Sequence, residues 1–372
     1  MTSAANRSVG IADTSLTEEE IAAATDVLRS GMLRQGPKAA AFETAFAERF
    51  GARHAIASTN GSMALFIAYA DFLEPGDEVI VPSFTFFATA SMVVLAGGVP
   101  VMVDADPETW LIDLDAVEAA ITPRTRAIAP VHLFGNVCDV DRLAALAASH
   151  DLRIVHDAAQ AHGATWDGRE IGGLDDYVCY SFYPTKNMFV GEGGMTTTNS
   201  ADSASKMRML RDVGARERYL HEVMGYNLRI TDLAAAIGLT QLGRFDAMMA
   251  RRRRNAERLL DGLGNLPGLT LPKWDPRVGH AWHQFCVLVD GGRFGRDRDG
   301  LQAFLAERRI GSAVHYPRGL HQQPVFVERF GPSTLPVTER LSQAILALPV
   351  HHGLEDADID AVVDGVRAAA RP

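Results

Sequence analysis

The segment of residues 54–82, HAIASTNGSMALFIAYADFLEPGDEVIVP, contains two short apolar runs separated by a longer helical pattern. HAIAS and EVIVP have the length of strands and are apolar on both faces, whereas the apolar residues of SMALFIAYADFL recur at helical spacing. Strands that are apolar on both faces are typical of a parallel sheet covered by helices on each side. The segment therefore predicts a strand–helix–strand unit of an α/β protein.

The same alternation continues toward the C-terminus. Further strands are predicted at VPVMV (99–103), RAIAPVHL (126–133), LRIVHD (152–157), DYVCYSF (176–182) and GGMTTT (193–198). Helical patterns lie between several of them, at TFFATASMVVLAG (85–97), LDAVEAAI (114–121) and VDRLAALAASH (140–150). We expect a mainly parallel sheet buried between helices.

Beyond about residue 245 the pattern changes to that of a smaller mixed unit. A long helical pattern is followed by the strand-like HQFCVLVD and by helices around LQAFLAERRI and DADIDAVVDGVRAA. The sequence predicts a flexible tail at 1–12, a large domain at 13–245 and a small C-terminal α+β domain at 246–372. The run Arg251–Arg254 is expected on the solvated face of the long helix.

Composition limits the classes of partner. The chain has 372 residues, a net charge of -10 and a pI near 5.6, so its overall field repels nucleic acid and anionic membranes. The three cysteines, Cys138, Cys179 and Cys286, are far apart and lie in or beside apolar runs, which indicates reduced thiols in a cytoplasmic protein. Residues 1–12 lack the basic start and apolar run of a signal peptide.

Two of the predicted strand ends carry polar residues. Ligands of parallel sheets bind at the carboxyl ends of strands, where helices begin. Gly61 and Ser62 open a helix there, and free amides at a helix start favour a phosphate, although the pair equally suits an ordinary helix start. Asp157 ends an apolar strand, with Gln160 and His162 close behind. A carboxylate buried there needs a cation or several donors, unless it caps the next helix.

A third strand end supplies a lysine. SFYPTKNMFVGEGGM (181–195) places Ser181 at the end of a strand and Lys186 in a turn-rich segment. A phosphate site, a carboxylate and a positioned lysine together meet the needs of pyridoxal 5'-phosphate (PLP), since the lysine forms a Schiff base and the carboxylate pairs with the pyridinium nitrogen. Phe86 is a candidate for stacking on the ring, although its spacing equally suits the core.

Other cofactor classes fit the sequence poorly. Neither G-x-G-x-x-G nor G-x-x-x-x-G-K-[ST] occurs at a strand-to-helix turn, which argues against a dinucleotide site and a P-loop. The pair His351–His352 lacks the spacing of metal ligands, so no metal site is expected.

Several stretches, in order, resemble the DegT/DnrJ/EryC1/StrS family of sugar aminotransferases. They are GMLRQGPKAAAFETAFAERFGARHAIASTNGSMAL, PSFTFFATA, VHDAAQAHGA, SFYPTKNMFVGEGGM, GYNLRITDLAAAIGLTQL and HYPRGLHQQPVF. The resemblance covers nearly all of the chain after its first residues. It implies fold type I of the PLP enzymes, a homodimer with composite active sites, and transfer of an amino group from glutamate or glutamine to a keto-sugar.

The resemblance also implies roles for individual residues. Lys186 matches the Schiff-base lysine, Asp157 the partner of the ring nitrogen, and Gln160 a residue beside the ring hydroxyl. The remaining cofactor contacts implied are Phe86 on the ring and, at the phosphate, Gly61, Ser62, Ser181 and Asn227, the last from the other subunit. His162, Arg229 and His315 are candidates for substrate contacts, although Arg229 equally suits a dimer salt bridge and His315 a packed loop.

Two features depart from the family pattern. His156 stands where many relatives have an acidic residue, and SVGIADTSLTEEE replaces a proline-containing start that bears on substrate contacts. Relatives with histidine in place of the lysine act as dehydratases, so Lys186 favours transamination. The expected substrate is a nucleotide-linked 3- or 4-keto-6-deoxyhexose; a ketocyclitol, a 3-amino-5-hydroxybenzoate-type reaction, and a non-catalytic sensor that keeps the fold are the alternatives.

Overall fold

The computed structural model describes residues 8–370, so residues 1–7 of the predicted tail and residues 371–372 lie outside the described part. The helices are α1 (Glu18–Ser30), α2 (Pro37–Phe50), α3 (Gly61–Phe72), α4 (Ala88–Leu95), α5 (Leu114–Ala119), α6 (Val140–His150), α7 (Ala201–Arg211), α8 (Asp232–Leu263), α9 (Gly291–Phe294), α10 (Arg298–Glu307), α11 (Pro324–Phe330), α12 (Pro336–Ala344) and α13 (Asp356–Ala369). The strands are β1 (His54–Ser58), β2 (Glu78–Pro82), β3 (Val99–Val103), β4 (Thr125–Ile128), β5 (Arg153–Asp157), β6 (Thr165–Trp166), β7 (Arg169–Glu170), β8 (Tyr177–Ser181), β9 (Gly194–Thr198), β10 (Ala215–Glu217), β11 (Leu220–His221), β12 (Leu269–Thr270), β13 (Val278–Gly279), β14 (Phe285–Val289) and β15 (Ile345–Leu348).

A seven-stranded sheet forms the centre of the larger part of the molecule, in the order β1-β9-β8-β5-β4-β2-β3. The strands from β8 to β3 pair in parallel, and β9 runs antiparallel to both of its neighbours. Alternate residues of a strand enter different cores: Tyr180 packs with Phe46 on one face, and Cys179 lies in the cluster of Ile67 on the other. The mainly parallel sheet between helices is thereby confirmed.

The carboxyl ends of β1, β8 and β5 meet at one edge of this sheet. Ser58 of β1 and Ser181 of β8 both pair with Gly194 of β9, and Asp157 of β5 pairs with Cys179 of β8. Parallel pairing brings the two polar strand ends, Asp157 and Ser181, to the same edge, where ligands of such sheets bind.

A second sheet, β12-β14-β15, lies in the C-terminal part and has a core of its own, which includes Phe285, Leu346 and Ile359. Helix α8 runs unbroken through the predicted domain boundary at 245/246, so the division at that position stays a prediction. Within residues 8–370, no helix combines the length and apolar character needed to cross a bilayer.

Two sequence-based expectations differ from the structure. Part of the predicted flexible tail is ordered, because Val9 is buried in the C-terminal core and its backbone bonds to Arg309 and Gly311. Arg252, expected on a solvated helix face, is buried, and its Nη1 donates to the carbonyls of Trp282 and His283 at 3.0 and 3.1 Å. Carbonyls from a distant segment replace the water that a buried guanidinium loses.

Candidate active site

Asp157 lies at the centre of the sheet edge and is only 4% exposed. One carboxylate oxygen accepts from the Thr89 hydroxyl at 2.8 Å, and the other accepts from the Ala159 N–H at 3.1 Å. Burial raises the pKa of Asp157, whereas these two bonds and the charge of Lys186 act to lower that pKa. Each oxygen has a second lone pair, so the carboxylate can still accept from a cationic donor.

Lys186 stands in the turn after β8, where its backbone N–H donates to Tyr183 O at 2.9 Å. Among the described residues, its Nζ makes no hydrogen bond or ion pair. Burial lowers the pKa of Lys186 to about 8, against the opposing effect of Asp157. About a tenth of such amines are unprotonated at pH 7, compared with fewer than about one in a thousand for an ordinary lysine. Lys186 is therefore poised as a nucleophile and base.

The start of α3 and the end of β8 form a narrow anion cradle. Asn60 caps α3 by accepting from Met63 N at 2.9 Å, and the N–H groups of Gly61 and Ser62 precede the hydrogen-bond ladder of the helix. A Cβ at Gly61 would lie 2.6 Å from Ser181 Cβ, so only glycine lets the helix start approach the Ser181 hydroxyl this closely. Free amides and a hydroxyl at a helix N-terminus suit a phosphate.

Gln160 is held by two bonds of opposite type. Its Oε1 accepts from Phe134 N at 2.7 Å, and its Nε2 donates to the Tyr316 hydroxyl at 2.9 Å. Because a backbone N–H can only donate, the orientation of the amide is fixed. The exposed Phe86 ring (56%) has its centroid 6.3 Å from the Tyr316 ring, at the open side of the site.

A buried chain of bonds holds the end of β2, next to Phe86. Ser83 Oγ lies 2.7 Å from His321 Nδ1, and His321 Nε2 lies 3.2 Å from Glu339 Oε1. These three residue types also form hydrolytic triads. Ser83 is completely buried, however, so no substrate can reach its hydroxyl. The chain instead ties the Phe86 loop to the C-terminal part.

The three candidate substrate residues lie in different surroundings. Arg229 forms an ion pair with Asp212 and lines a cavity of about 460 Å³ together with Thr59 and Asn60, beside the start of α3. His315 is largely buried, and burial together with the charge of Lys186 lowers its pKa to about 4, so its ring is neutral. Asn227, the candidate contact from the other subunit, is exposed on the surface.

His162 does not reach the open side of the site, contrary to the expectation of a substrate contact. Its ring is completely buried, with centroids 5.1 Å from Tyr180 and 5.6 Å from Phe182, and neither ring nitrogen has a hydrogen-bond partner among the described residues. Burial lowers the pKa of His162 to about 3. The side chain is a neutral part of the core beneath the lysine turn.

His156 pairs with another histidine. His132 Nδ1 accepts from Cys138 N at 3.2 Å, which leaves the proton on Nε2, and this nitrogen donates to His156 Nδ1 at 3.1 Å. Burial lowers the pKa of His132 to about 3, so the pair is neutral. A neutral imidazole pair thus lies at the position where the sequence departs from the expected family pattern.

Sequence reasoning missed two residues that touch the predicted set, Thr89 on Asp157 and Tyr316 on Gln160. Both lie inside quoted motifs, PSFTFFATA and HYPRGLHQQPVF. Thr89 stands four residues after Thr85, at helical spacing, and their hydroxyls lie 3.2 Å apart. From this spacing, a contact between the two threonine side chains could have been predicted from the sequence.

The match to a family model extends over residues 14–367 and is to the DegT/DnrJ/EryC1/StrS aminotransferase family. The chain belongs to this family. Among solved structures, DesV of S. venezuelae, in complex with a ketimine intermediate, is 38% identical with a TM-score of 0.94, covering 99% of this chain and 100% of its own. PseC of Helicobacter pylori, an aminotransferase of pseudoaminic acid biosynthesis, is 25% identical (TM-score 0.91; 98% and 99% covered).

A putative sugar aminotransferase of Streptococcus pneumoniae, Spr1654 in its PMP form, is 28% identical with a TM-score of 0.92 and covers 98% of each chain. The chain is thus a PLP-dependent aminotransferase of fold type I. Its residues fit the cofactor: a cradle at Gly61 and Ser181 for the phosphate, a buried carboxylate, and a lysine whose amine has no partner in the described part of the chain.

Proposed function

We propose that the enzyme transfers an amino group from L-glutamate or L-glutamine to a nucleotide-linked 3- or 4-keto-6-deoxyhexose. The observation that carries the chemistry is the presence at one sheet edge of a buried carboxylate, Asp157, and of an amine of lowered pKa, Lys186, that has no hydrogen-bond or ion-pair partner among residues 8–370. The sugar assignment is supported by the near-complete match to PseC, an aminotransferase of pseudoaminic acid biosynthesis, and to Spr1654, a putative sugar aminotransferase.

Lys186 would hold the cofactor covalently and would also serve as the base. When bound, PLP supplies an electron sink for the bonds at the amino-acid carbon. The Nζ of Lys186 would take the proton from that carbon in the first half of the reaction and would deliver a proton to the carbon that is aminated in the second half. A pKa of about 8 suits both directions of transfer near neutral pH.

Asp157 keeps the ring nitrogen of the cofactor protonated. The Thr89 and Ala159 donors leave lone pairs on both oxygens for this contact, and Gln160 is fixed beside it. Removing the carboxylate would leave a buried cation without a partner, at a cost of roughly 3–5 kcal/mol.

The phosphate is bound by Gly61, Ser62 and Ser181 of one chain and by Asn227 of a second copy, with Phe86 stacked on the ring. Near Asn227, the segment around β10 and β11 exposes large apolar side chains, with Tyr219 80% and Met224 88% exposed. Apolar surface of this kind marks an interaction site. A homodimer that covers this segment completes the active site.

Arg229 and His315 contact the substrate in this proposal. Arg229 borders the cavity beside the phosphate cradle, where a guanidinium suits the diphosphate of a nucleotide sugar. The neutral His315 can exchange a hydrogen bond with a sugar hydroxyl near Lys186.

The substrate assignment is tested by incubating the holoenzyme with glutamate or glutamine and a panel of nucleotide keto-sugars, and identifying products by mass spectrometry. We expect an amino sugar whose nitrogen comes from the labelled donor. Amination of a ketocyclitol or of a 3-amino-5-hydroxybenzoate precursor alone would replace the sugar assignment. Cofactor binding without any amination would point to a sensor.

The composite site is tested by mixing two variants, Lys186→Ala and Asn227→Ala, which we expect to be inactive and impaired. In a mixed dimer, one site receives both an intact Lys186 and an intact Asn227. Random mixing should therefore restore about a quarter of the wild-type activity. Activity no greater than the average of the two separate variants would contradict the shared site.

A further inference from the structure

The residue after the lysine, Asn187, is buried although the lysine itself is partly exposed. Asn187 is 2% exposed, and its Nδ2 donates to Ala281 O at 2.9 Å and lies 3.4 Å from His162 O. Because both carbonyls can only accept, the amide oxygen must face the other way, toward His283 Nδ1 at 3.4 Å. The His283 proton is therefore on Nδ1, and the Asn187 side chain has a single orientation.

Residues 281–284, which we name the strap, receive these bonds and are themselves firmly held. Ala281 N donates to Gly135 O at 2.8 Å, and Gln284 N donates to Phe134 O at 3.2 Å. A Cβ at Gly135 would lie 2.7 Å from the backbone nitrogen of Trp282, so the two segments are in close contact. The strap is fixed against the turn at 134–135.

The long helix α8 holds the strap from another side. The buried Arg252 donates to the carbonyls of Trp282 and His283 at 3.0 and 3.1 Å. The strap thus has anchors on the turn at 134–135 and on α8 that do not involve the lysine turn. The strap is therefore held rigidly enough to fix the position of the lysine turn that bonds to it.

The turn at 134–135 also holds Gln160, whose Oε1 accepts from Phe134 N at 2.7 Å. A continuous path therefore connects Asn187 with Gln160. Asn187 bonds to the strap, the strap bonds to the turn at 134–135, and Phe134 of that turn bonds to Gln160. The lysine turn has backbone bonds at Lys186 N and Val190 N, and Phe189 N donates to Gln241 Oε1 at 2.9 Å.

We propose that Asn187 is a positioning residue, which sets the direction of Lys186 relative to Asp157 and Gln160 by tying the lysine turn to the strap. Lysine has a flexible four-carbon stem, so the position of its amine depends on how well its backbone is fixed. Groups that react must be held within about half an ångström of their productive geometry. The inference rests on the proposed role of Lys186 as the cofactor-binding residue.

If Asn187 only stabilised the fold, its substitution would lower the stability without affecting Lys186. Another buried asparagine of the chain provides a matched control. Asn255 on α8 is also 2% exposed, and its Nδ2 donates to His351 O at 2.8 Å. Asn187→Ala and Asn255→Ala each remove one buried amide that donates to a loop carbonyl. Their thermal unfolding midpoints should fall by similar amounts, and only Asn187→Ala should affect the lysine.

The experiment compares the wild-type holoenzyme with both variants. Three quantities are measured: the unfolding midpoint, the pH at which the visible absorption of the lysine-bound cofactor titrates, and kcat and KM. For Asn187→Ala we expect the titration to move by about one pH unit, the effect of one lost hydrogen bond, and kcat to fall about ten- to a hundredfold with little change in KM. Asn255→Ala should titrate like the wild type.

Equal titrations in the two variants would overturn the positioning role. Wild-type protein that shows no lysine-bound absorption, with Lys186 unmodified after borohydride reduction, would instead overturn the proposed function on which the inference rests. If Asn187→Ala does not fold, Asn187→Ser, which keeps one donor but is too short for Ala281 O, is measured in the same way. We expect its titration to differ from that of the wild type, and a titration equal to that of the wild type would overturn the positioning role.

Discussion

The inner and outer walls of the active site are completed in different ways. The inner wall consists of Asp157, Gln160, Ser181 and the lysine turn. The side chains of Asp157, Gln160 and Asn187 are fixed there by bonds from the same chain. The outer wall consists of Phe86, Tyr183, Asn227 and Arg229, of which the first three are exposed. One chain thus builds the chemistry by itself, whereas the surface that meets substrate depends on what binds there. Substitutions should follow this division.

The largest effect is expected at the centre of the inner wall. Lys186→Ala removes both the covalent attachment and the base, so turnover should be abolished, a loss of at least about ten-thousandfold. The variant is assayed for product and for a borohydride-stable cofactor adduct on peptides containing position 186. Full activity would remove Lys186 from its assigned role.

Asp157→Asn should rank second. The neutral amide cannot balance the positive charge of a protonated ring nitrogen. The lost electrostatic stabilisation, roughly 3–5 kcal/mol, corresponds to a fall in kcat by a factor of hundreds or more. Cofactor should still bind, more weakly, because the phosphate cradle is unchanged. A variant with wild-type kcat would contradict the pairing.

The capture of PLP by enzyme freed of cofactor should depend on pH through Lys186. Only the neutral amine attacks, and its pKa is lowered to about 8 by burial. The rate of attachment should therefore rise about tenfold per unit below pH 8 and level off above it, whereas an ordinary lysine would continue to gain up to about pH 10. Borohydride trapping at timed intervals measures the rate; a rise that continues beyond pH 9 would contradict the lowered pKa.

Thr89→Val tests whether the hydrogen bond that holds the Asp157 carboxylate contributes to catalysis. The change removes the 2.8 Å bond to Asp157 at nearly constant volume, so kcat should fall about tenfold. Thr85→Val is the control, because Thr85 contacts the hydroxyl of Thr89 and not the carboxylate. If kcat falls equally in both variants, the hydrogen bond from Thr89 to Asp157 makes no contribution of its own to catalysis.

The smallest effect is expected on the outer wall. Phe86→Ala removes a ring whose stacking contributes about 0.5–1.5 kcal/mol, so cofactor affinity should fall about two- to tenfold with kcat nearly unchanged. Titration of cofactor-free enzyme with PLP measures the affinity. A loss as large as that of Asp157→Asn would erase the difference between the two walls.

Regular elements with clear ends were predicted well from the sequence. VDRLAALAASH and DADIDAVVDGVRAA coincide with α6 and α13, because a capping residue precedes each and the apolar spacing is regular. RAIAPVHL was predicted as one strand, but β4 ends at Ile128. Pro130 has no N–H to donate, and only a single bridge, from Val131 to Asp157, continues the pairing.

The polar strand ends located the site, but not its supporting residues. Asp157 and Lys186 stand out because a carboxylate and an amine follow apolar strands. Thr89, Asn187 and Arg252 have no such contrast, since their partners are far away in sequence or are backbone carbonyls. A single sequence does not reveal such partners, and for the same reason the burial of His162 was missed.

The continuity of α8 constrains how substrate enters. At 32 residues the helix is about 48 Å long. It places Asp232 at the start of α2 and Arg252 at the strap. A hinge motion about residue 245 would have to break this helix near its middle and would lose several of its backbone hydrogen bonds. Admission and release of substrate should therefore fall to short surface segments that can rearrange without bending this helix.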